Sequence, residues 1–221
     1  MTATEKSVRG PRGPYAKAAE KRQAIVEAAH SVFAAQGYRG GSLQDVADRV
    51  GMSQTSLLHY FPAKSDLLLA VLQWRDQISG DGTAARDPGE SLIDAVVRQT
   101  LFNEHIPGVI ELYTVLCAES LTDDHPGRDF FITRFARLRR EYATSFEELA
   151  AAGRLRAGVD PLRAASSLIA LWDGIQTQWL LEPQSVDMAR SLREYLELIV
   201  LPAGEPRAAL PPAALPPAAF G

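Results

Sequence analysis

Two very short amphipathic segments lie between two longer ones within residues 24–72, and this arrangement restricts the fold more than any other feature. The short segments span about residues 42–50 and 53–60, with a glycine at position 51 between them, and Gly37 ends the longer segment before them. Each short segment repeats its apolar residues at helical spacing but is too short to be stable alone. The pattern therefore predicts a helix-turn-helix held by two longer helices.

The ends of the two short segments carry residues that cap or interrupt helices. Ser42 is a favourable N-cap, and Asp45 three residues later completes a capping-box-like pair. Gly51 ends the first segment, Ser53 caps the second, and Pro62 interrupts it. The sequence thus predicts two separate short helices with a tight turn between them.

Polar side chains on the second short helix suit contact with DNA. Glutamine can read an adenine edge, and serine or threonine can bond bases or phosphates. Tyrosine and lysine side chains suit phosphate oxygens, as do the amides at a helix N-terminus. An ordinary helical hairpin with a solvated polar face explains the same spacing, so both interpretations stay open. The candidate DNA contacts are Ser42, Gln44, Ser53, Gln54, Thr55, Ser56, His59, Tyr60 and Lys64.

Charge is distributed unevenly along the chain. Residues 1–64 contain nine Lys or Arg against five acidic residues, a net charge of +4, whereas residues 65–221 contain 14 against 22, a net charge of −8. The basic part includes Arg9 and Arg12, in a segment rich in helix breakers that we predict to be a flexible arm. A basic front end favours a polyanion partner, although an excess this small also arises by chance.

The stretch GYRGGSLQDVADRVGMSQTSLLHYFPAKSDLLLAVL resembles the TetR family of bacterial repressors. The match covers about 50 contiguous residues, and the order of its motifs is specific. The resemblance implies a DNA-binding transcriptional regulator and not an enzyme. The matching positions are Gly37-Tyr38, then Ser42, Asp45, Val46 and Ala47, then Gly51-Met52-Ser53, and finally Phe61-Pro62-Ala63-Lys64.

The sequence departs from the family pattern at three positions. Leu58 stands where the family usually has tyrosine, Tyr60 where histidine is frequent, and Ala63 where Ser or Thr usually caps the next helix. Leu58 removes one expected phosphate contact. We expect Tyr60, His59 or the arginines of the arm, Arg9 and Arg12, to compensate.

Beyond residue 64 the apolar periodicity is helical throughout, and no strand-like alternation is evident. Pro88, Pro107, Pro126 and Pro161 are predicted to mark helix starts, because proline is favourable at the first helical position. The predicted fold is all-α with about nine helices. Its parts are a basic arm (1–16), a three-helix helix-turn-helix domain (17–64), a helical ligand-binding and dimerisation bundle (65–201) and a disordered Pro/Ala-rich tail (202–221). Within the bundle, helices are predicted near 89–104, 107–120, 126–152, 161–181 and 186–201.

The resemblance also implies a homodimer joined through its last two helices and a small-molecule effector bound between the helices of the body. Residues proposed for either role also suit the subunit's own core, so both assignments stay open. Candidate pocket residues are Trp74, Phe102, His105, Tyr113, Cys117, Trp172 and Gln176, and candidate interface residues are Leu168, Leu171, Leu192, Leu196 and Val200.

No pattern in the sequence indicates a cofactor, a metal or a catalytic site. Cys117 is the single cysteine, which excludes an intrachain disulfide and a Cys-based metal site. The four histidines lack paired metal-ligand spacing, and neither a phosphate-binding glycine loop nor a nucleophile elbow is present. Without a signal peptide or a membrane-length apolar run, the protein is expected to be soluble, cytoplasmic and independent of membranes.

Together these features predict a homodimeric transcriptional repressor that binds palindromic operator DNA and is released by a small-molecule effector. Three alternatives remain: a ligand or protein sensor that has lost operator binding, an activator of the same fold, and a small helical enzyme. The enzyme would need a convergent polar pocket with perturbed side chains, which the sequence does not display.

Overall fold

The computed structural model describes residues 14–80, 82 and 86–202, and these ranges are mostly helical. Their only β-pairing is an isolated antiparallel bridge between Leu155 and Val200. The predicted all-α fold of about nine helices is confirmed. The helices are α1 (Pro14–Gly40), α2 (Leu43–Val50), α3 (Gln54–Leu58), α4 (Lys64–Ser79), α5 (Leu92–Glu104), α6 (Pro107–Glu119), α7 (Arg128–Ala151), α8 (Pro161–Leu181) and α9 (Met188–Ile199).

The chain forms two compact units, the first ending at Trp74 and the second beginning at Arg75. Helix α4 therefore begins in the first unit and ends in the second. The first unit has its own core, in which every helix supplies side chains with little or no exposure. These core residues are Ile25, Ala29, Val32 and Phe33 of α1, Val46 and Ala47 of α2, Leu57 of α3, and Leu67, Leu68, Val71 and Leu72 of α4.

Helices α5, α7, α8 and α9 supply the core of the second unit. Its largest members include Tyr142, Phe146, Trp172 and Leu168, all of them buried. The chain after α7 is tied to the end of α9, since the amide of Leu201 donates to the carbonyl of Arg154 at 2.7 Å. The body is thus one helical bundle with a continuous apolar centre.

Two glycines shape the path from α1 to α2. Gly37 has φ 70° and ψ 174°, which interrupts α1 as the sequence predicts. Gly41 lies so close to α1 that an added Cβ would come within 2.7 Å of the Val32 side chain. A side chain at position 41 would therefore push α2 away from α1.

Two predicted helix starts are wrong. Helix α5 begins after Ser91 and not at Pro88, because the Ser91 hydroxyl caps the helix by accepting from the Asp94 amide at 3.1 Å. Helix α7 begins after Gly127, because the residues around Pro126 form a turn in which the Gly127 amide donates to His125 Nδ1 at 3.1 Å.

The other two predicted starts are confirmed. Pro107 and Pro161 occupy the first turns of α6 and α8. Asp160 caps α8, since its carboxylate accepts from the Arg163 amide at 2.8 Å. The predicted arm, with Arg9 and Arg12, and nearly all of the predicted tail lie outside the described residues.

Candidate functional sites: a helix-turn-helix and a buried cavity

The N-terminus of α2 is fixed by a complete capping box between Ser42 and Asp45. The Ser42 hydroxyl accepts from the Asp45 amide at 3.1 Å, and the Asp45 carboxylate accepts from the Ser42 amide at 3.0 Å. The hydroxyl also donates to the same carboxylate at 2.7 Å. These hydrogen bonds lower the pKa of Asp45 and keep it ionised. The predicted capping pair is confirmed.

The turn between α2 and α3 depends on Gly51. Its backbone is left-handed, with φ 69° and ψ 48°, a conformation that favours glycine. The turn is closed by the Met52 amide, which donates to the carbonyl of Ala47 at 3.0 Å. Ser53 then caps α3 by accepting from the Ser56 amide at 3.2 Å.

The sequence predicts that the second short helix reaches Tyr60, but α3 ends at Leu58. The amides of Tyr60 and Phe61 both donate to the carbonyl of Leu57, which closes a tight turn before Pro62. Leu57 and Phe61 are buried and anchor the segment to the first unit. The helix is thus five residues long and holds its position through packing.

The outer surface of α3 is polar and accessible. Gln54, Thr55 and His59 are exposed, whereas Leu58 and Tyr60 are partly buried. None of these five positions holds a lysine, arginine, aspartate or glutamate. The surface suits hydrogen bonding to base edges or phosphates.

Four of the other candidate DNA contacts already have partners. Ser42 donates to Asp45, as described above. The Gln44 amide donates to the Asp48 carboxylate at 2.6 Å, and the Ser53 and Ser56 hydroxyls lie 2.8 Å apart. Each of these side chains must break an internal hydrogen bond before it can bind a phosphate.

Lys64 is held at the start of α4 by residues that the sequence reasoning did not single out for this role. Its ammonium lies 4.5 Å from the centre of the Tyr38 ring and 3.5 Å from the Arg39 carbonyl. The departure at Ala63 is partly offset, because the Asp66 carboxylate accepts from the Ala63 amide at 3.0 Å. Tyr38 of the Gly-aromatic motif and Lys64 of the closing motif are therefore in contact in the folded protein.

Two further contacts tie α1 to the rest of the first unit. Lys21 donates to the carbonyl of Val50 at 3.4 Å, where a cation is favourable at the C-terminus of α2. The Arg22 guanidinium lies 4.5 Å from the centre of the Phe61 ring. Both contacts hold the helix-turn-helix on its scaffold helix.

The second unit contains a cavity of about 40 Å³ lined by charged, polar and aromatic side chains. Arg75 and Arg134 both line it, and each is about 5% exposed or less. One oxygen of Asp76 accepts from both guanidiniums, at 3.0 Å from Arg75 and 2.6 Å from Arg134. Burial and repulsion from Arg134 lower the pKa of Arg75.

The Tyr113 ring lies against both arginines, with its centre 4.3 Å from the Arg75 guanidinium and 5.3 Å from that of Arg134. Asp173 also lines the cavity, and its carboxyl group interacts with both arginines and with Tyr113. Burial raises the pKa of Asp173 to about 6, against the opposing effect of Arg134, Arg75 and Tyr113. The cavity therefore contains two permanent cations and a carboxyl group that titrates near neutrality.

Neither buried arginine has all of its donors paired. The Nε atoms of Arg75 and Arg134 have no hydrogen-bond acceptor among the described residues. A buried donor without an acceptor costs about 1–3 kcal/mol, and more when the group is charged. Buried arginines with unpaired donors beside a cavity are a feature expected of an anion-binding site.

Three of the seven candidate pocket residues line this cavity: Tyr113, Trp172 and Gln176. Gln176 is buried and donates to the Thr114 hydroxyl at 3.1 Å. Its fixed side chain helps to define the wall that α8 presents.

The remaining four candidates do not line the cavity. Phe102 is 47% exposed and His105 is also exposed, because both lie at the outer end of α5. Trp74 belongs to the first unit, where its ring lies 5.0 Å from that of His30. Cys117 is partly buried, and burial raises the pKa of its thiol to about 11.

Arg75, Arg134 and Asp173 were missed by the sequence reasoning, although a signal was present. Arg134 stands in a stripe with Phe131 and Leu138 at the three- and four-residue spacing of a buried helix face. Arg75 continues the stripe of α4 in the same way. A charged residue inside an apolar stripe indicates burial, and burial of a charge indicates a partner or a site.

The predicted interface residues mostly face the core of their own subunit. Leu168, Leu192, Leu196 and Val200 are buried within the core of the second unit, and Leu171 is partly buried against it. The most apolar stripe of each helix turns inward because the bundle needs it to bury its centre. A partner subunit can reach these side chains only at their edges.

The outward face of α8 carries small and apolar residues among its polar ones. Ala170 and Gly174 are exposed one turn apart, and an added Cβ at Gly174 would meet no atom within 4 Å. Leu162 and Leu181 are exposed by 56% and 82% at the two ends of the helix. Small residues between exposed leucines allow another helix to approach closely.

Two family models match the chain over most of its length. Residues 25–71 match the model of bacterial regulatory proteins of the tetR family, and residues 90–201 match the C-terminal domain of BetI-type transcriptional repressors. The chain belongs to the TetR family of transcriptional regulators, which carry a helix-turn-helix DNA-binding domain.

Individual relatives agree with this assignment. The chain is 24% identical over 196 residues to the HTH-type transcriptional regulator AcrR of Shigella flexneri, covering 83% of this chain and 89% of AcrR. It is 43% identical over 53 residues to the HTH-type transcriptional regulator RutR of Escherichia coli K12, covering 24% of this chain and 25% of RutR. These relatives are regulators and not enzymes.

A solved structure shares the fold. A transcriptional regulator from Saccharomonospora viridis, solved in complex with choline, superposes with a TM-score of 0.69 at 24% identity and covers 83% of this chain and 100% of that one. Within the described ranges, none of the helices is both long and apolar enough to cross a membrane. In the same ranges, no cluster of three or more His, Cys, Asp or Glu side chains is arranged to hold a metal ion.

Proposed function

We propose that this protein is a homodimeric, cytoplasmic repressor that binds palindromic operator DNA through α2 and α3 and releases it when a small molecule enters the second unit. The observation that carries the proposal is the exposed polar surface of α3, held after the Gly51 turn in a chain of the TetR family. In a helix-turn-helix the second helix reads base edges, and the first crosses the phosphate backbone.

Specific roles follow for the exposed side chains. Gln54 and Thr55 are proposed to contact bases, while His59, Tyr60 and Lys64 contact phosphates. Ser42, Gln44, Ser53 and Ser56 are proposed as supporting contacts, and Arg9 and Arg12 as additional phosphate contacts. Leu58 carries no polar group and contributes packing alone.

Dimerisation supplies the geometry that a palindromic operator requires. Two recognition helices related by a two-fold axis would meet successive major grooves about 34–36 Å apart. The outward face of α8 around Gly174, with the exposed Leu198 of α9, is the surface proposed for the partner subunit. Leu168, Leu192, Leu196 and Val200 then support this surface from below, and Leu171 lies at its edge.

A dimer of this kind is tested by Gly174→Arg. The exposed position leaves room for the side chain within the subunit, so the variant should fold but sediment as a monomer. Thr144→Arg, at an exposed position of α7, is the matched control and should remain dimeric. A dimeric Gly174→Arg protein would contradict the proposed interface.

Release of DNA is proposed to be a shift between two conformations. An effector that prefers the conformation in which the recognition helices are wrongly spaced lowers the affinity for the operator. A ligand with equal affinity for both conformations has no effect. Helix α4 is the candidate transmitter, because one helix carries Lys64 at its start and the cavity residues Arg75 and Ser79 at its end.

DNA binding is tested by fluorescence anisotropy with labelled DNA from the upstream region of the protein's own gene, titrated against a random duplex at several salt concentrations. Two subunits should bind each inverted repeat at least about 10³-fold more tightly than the random duplex. Gln54→Ala should lower this preference, whereas Arg9→Ala with Arg12→Ala should weaken binding to both duplexes and flatten the salt dependence.

The outcomes separate the alternatives. Equal, weak binding to every duplex tested, together with an intact dimer, would favour a sensor that has lost operator binding, as Leu58 suggests. Whether operator binding represses or activates depends on the position of the operator, and a reporter assay distinguishes the two. The relatives named above are regulators, and we propose no catalytic role.

A further inference from the structure

We propose that the cavity of the second unit recognises an organic carboxylate, whose negatively charged head binds Arg75 and Arg134 and whose flat apolar body lies along the aromatic wall. The role of this carboxylate as the effector rests on the function proposed above. The binding itself can be tested without DNA.

The first argument is the charge of the cavity. Two guanidiniums are buried there, and a single Asp76 oxygen accepts a hydrogen bond from each. Asp76 can balance only one of the two charges. Asp173 is the acidic residue of the cavity wall, and burial favours its neutral form. While Asp173 is protonated, an anion placed against the arginines would complete the balance.

The second argument is the pattern of donors. The Nε atoms of Arg75 and Arg134 are buried and have no acceptor among the described residues. A guanidinium offers Nε–H and a neighbouring Nη–H side by side, and this pair matches the two oxygens of a carboxylate. Both arginines line the cavity, so a carboxylate within it can bind their guanidiniums, and a small rotation of either side chain would bring its unpaired Nε–H to the ligand.

The third argument concerns size and shape. A cavity of about 40 Å³ has room for roughly three water molecules, which is enough for a carboxylate head but not for a larger ligand. The aromatic and apolar side chains of the wall include Tyr113, Trp172 and Ile169. A ligand larger than a carboxylate head must move these side chains apart to fit. Such a ligand therefore binds one conformation of the second unit more tightly than another.

The same features disfavour a cation. A quaternary ammonium group would meet two buried guanidiniums, and burial disfavours the ionised form of Asp173 that would attract it. The choline seen in the Saccharomonospora viridis regulator is therefore a ligand of that protein, and the present cavity is proposed to select the opposite charge.

The test uses full-length protein with ¹⁵N-labelled arginine, whose Nε–H resonances report directly on the proposed contacts. Arg75→Lys and Arg134→Lys assign the two resonances by their disappearance. Acetate, benzoate, benzamide and benzyltrimethylammonium are then titrated separately. Both resonances should shift with acetate and benzoate, and the affinity for benzoate should exceed that for benzamide or benzyltrimethylammonium by about tenfold or more.

Arg134→Met tests the charge argument independently. It removes one positive charge but keeps an unbranched side chain, and thermal unfolding verifies that the variant folds. Benzoate affinity should fall about tenfold or more, and the preference should shift toward benzyltrimethylammonium. The control is Arg190→Met on the exposed side of α9, which should bind benzoate as the unmodified protein does. If Arg134→Met fails to fold, the resonance titrations of the unmodified protein decide the question.

Three results would overturn the proposal: resonances that respond to neither acetate nor benzoate, equal affinity for benzoate and benzamide, or tighter binding of the cation. Operator binding, measured separately, distinguishes this failure from that of the proposed function. A protein that binds its operator but no carboxylate refutes only the ligand class, and one that binds benzoate but no operator refutes only the regulator.

Discussion

Asp173 offers a sharp test of the electrostatics of the second unit. Burial raises the pKa of its carboxyl group from 3.8 to about 6, even though Arg134, Arg75 and the Tyr113 hydroxyl all oppose this shift. Burial raises the pKa of the Cys117 thiol, and the Asp173 charge adds to this effect. Asp173→Asn keeps the shape and removes the charge.

The magnitude follows from the difference between the folded and unfolded pKa values. Because the folded pKa is raised, the protonated form of Asp173 is favoured, and stability is present below pH 4 and lost as the pH rises through 6. A difference of about two units corresponds to roughly 3 kcal/mol at pH 7.5 and to about 1 kcal/mol at pH 4.5. The Asn variant should therefore be more stable than the unmodified protein, by roughly 2–3 kcal/mol at pH 7.5 and by much less at pH 4.5.

The assay is urea unfolding at both pH values in a Trp74→Phe background. The remaining tryptophans, Trp172 and Trp179, both lie on α8, so their fluorescence reports on the second unit. Asp123→Asn is the control, because that side chain is 98% exposed and a surface ion pair such as its contact with Arg128 contributes little, so the free energy of unfolding should change by less than about 1 kcal/mol at either pH. An Asp173→Asn gain that is absent at pH 7.5, or equal at the two pH values, would refute the reasoning.

The remaining predictions concern the packing of the first unit and the pH dependence of the cavity. Leu57→Ala should destabilise the first unit by about 2–5 kcal/mol and abolish specific operator binding, because it removes a fully buried anchor of α3; thermal unfolding and anisotropy measure the two effects. Gly51→Ala should cost about 1–2 kcal/mol through its left-handed backbone alone, since nothing lies near its Cβ. Gly41→Ala should cost more by direct collision with Val32, and similar unfolding temperatures for the two variants would contradict this ranking. Benzoate affinity measured by calorimetry should fall as the pH rises from 5 to 7.5, because ionised Asp173 repels an anion. In Asp173→Asn this dependence should be flat, and an unchanged dependence would assign it to another group.

Gly51 and Gly41 are each required for a different physical reason. At Gly51 the requirement is a backbone angle, which a sequence can indicate because glycine before a capping serine is a local signal. At Gly41 the requirement is space, set by Val32 and Phe33 one helix away. Only the packed structure shows the second kind.

The assignment of the dimer surface shows the same limit. The sequence identifies α8 and α9 as amphipathic, and Leu168, Leu192 and Leu196 are apolar at the expected spacing. Such spacing marks a buried face but does not say whether the subunit or a partner buries it. The structure assigns these leucines to the subunit's own core.

By itself, the sequence determined the helical fold, the helix-turn-helix and its caps, and the family, because these depend on contacts between residues close together in the chain. Ser42 with Asp45 and the turn at Gly51 are signals of this local kind. The cavity is different, since Arg75, Tyr113, Arg134 and Asp173 come from four helices. Only tertiary packing removes two arginines from water and sets one shared carboxylate between them, because the energy of a buried charge depends on its neighbours in space and not on its neighbours in sequence.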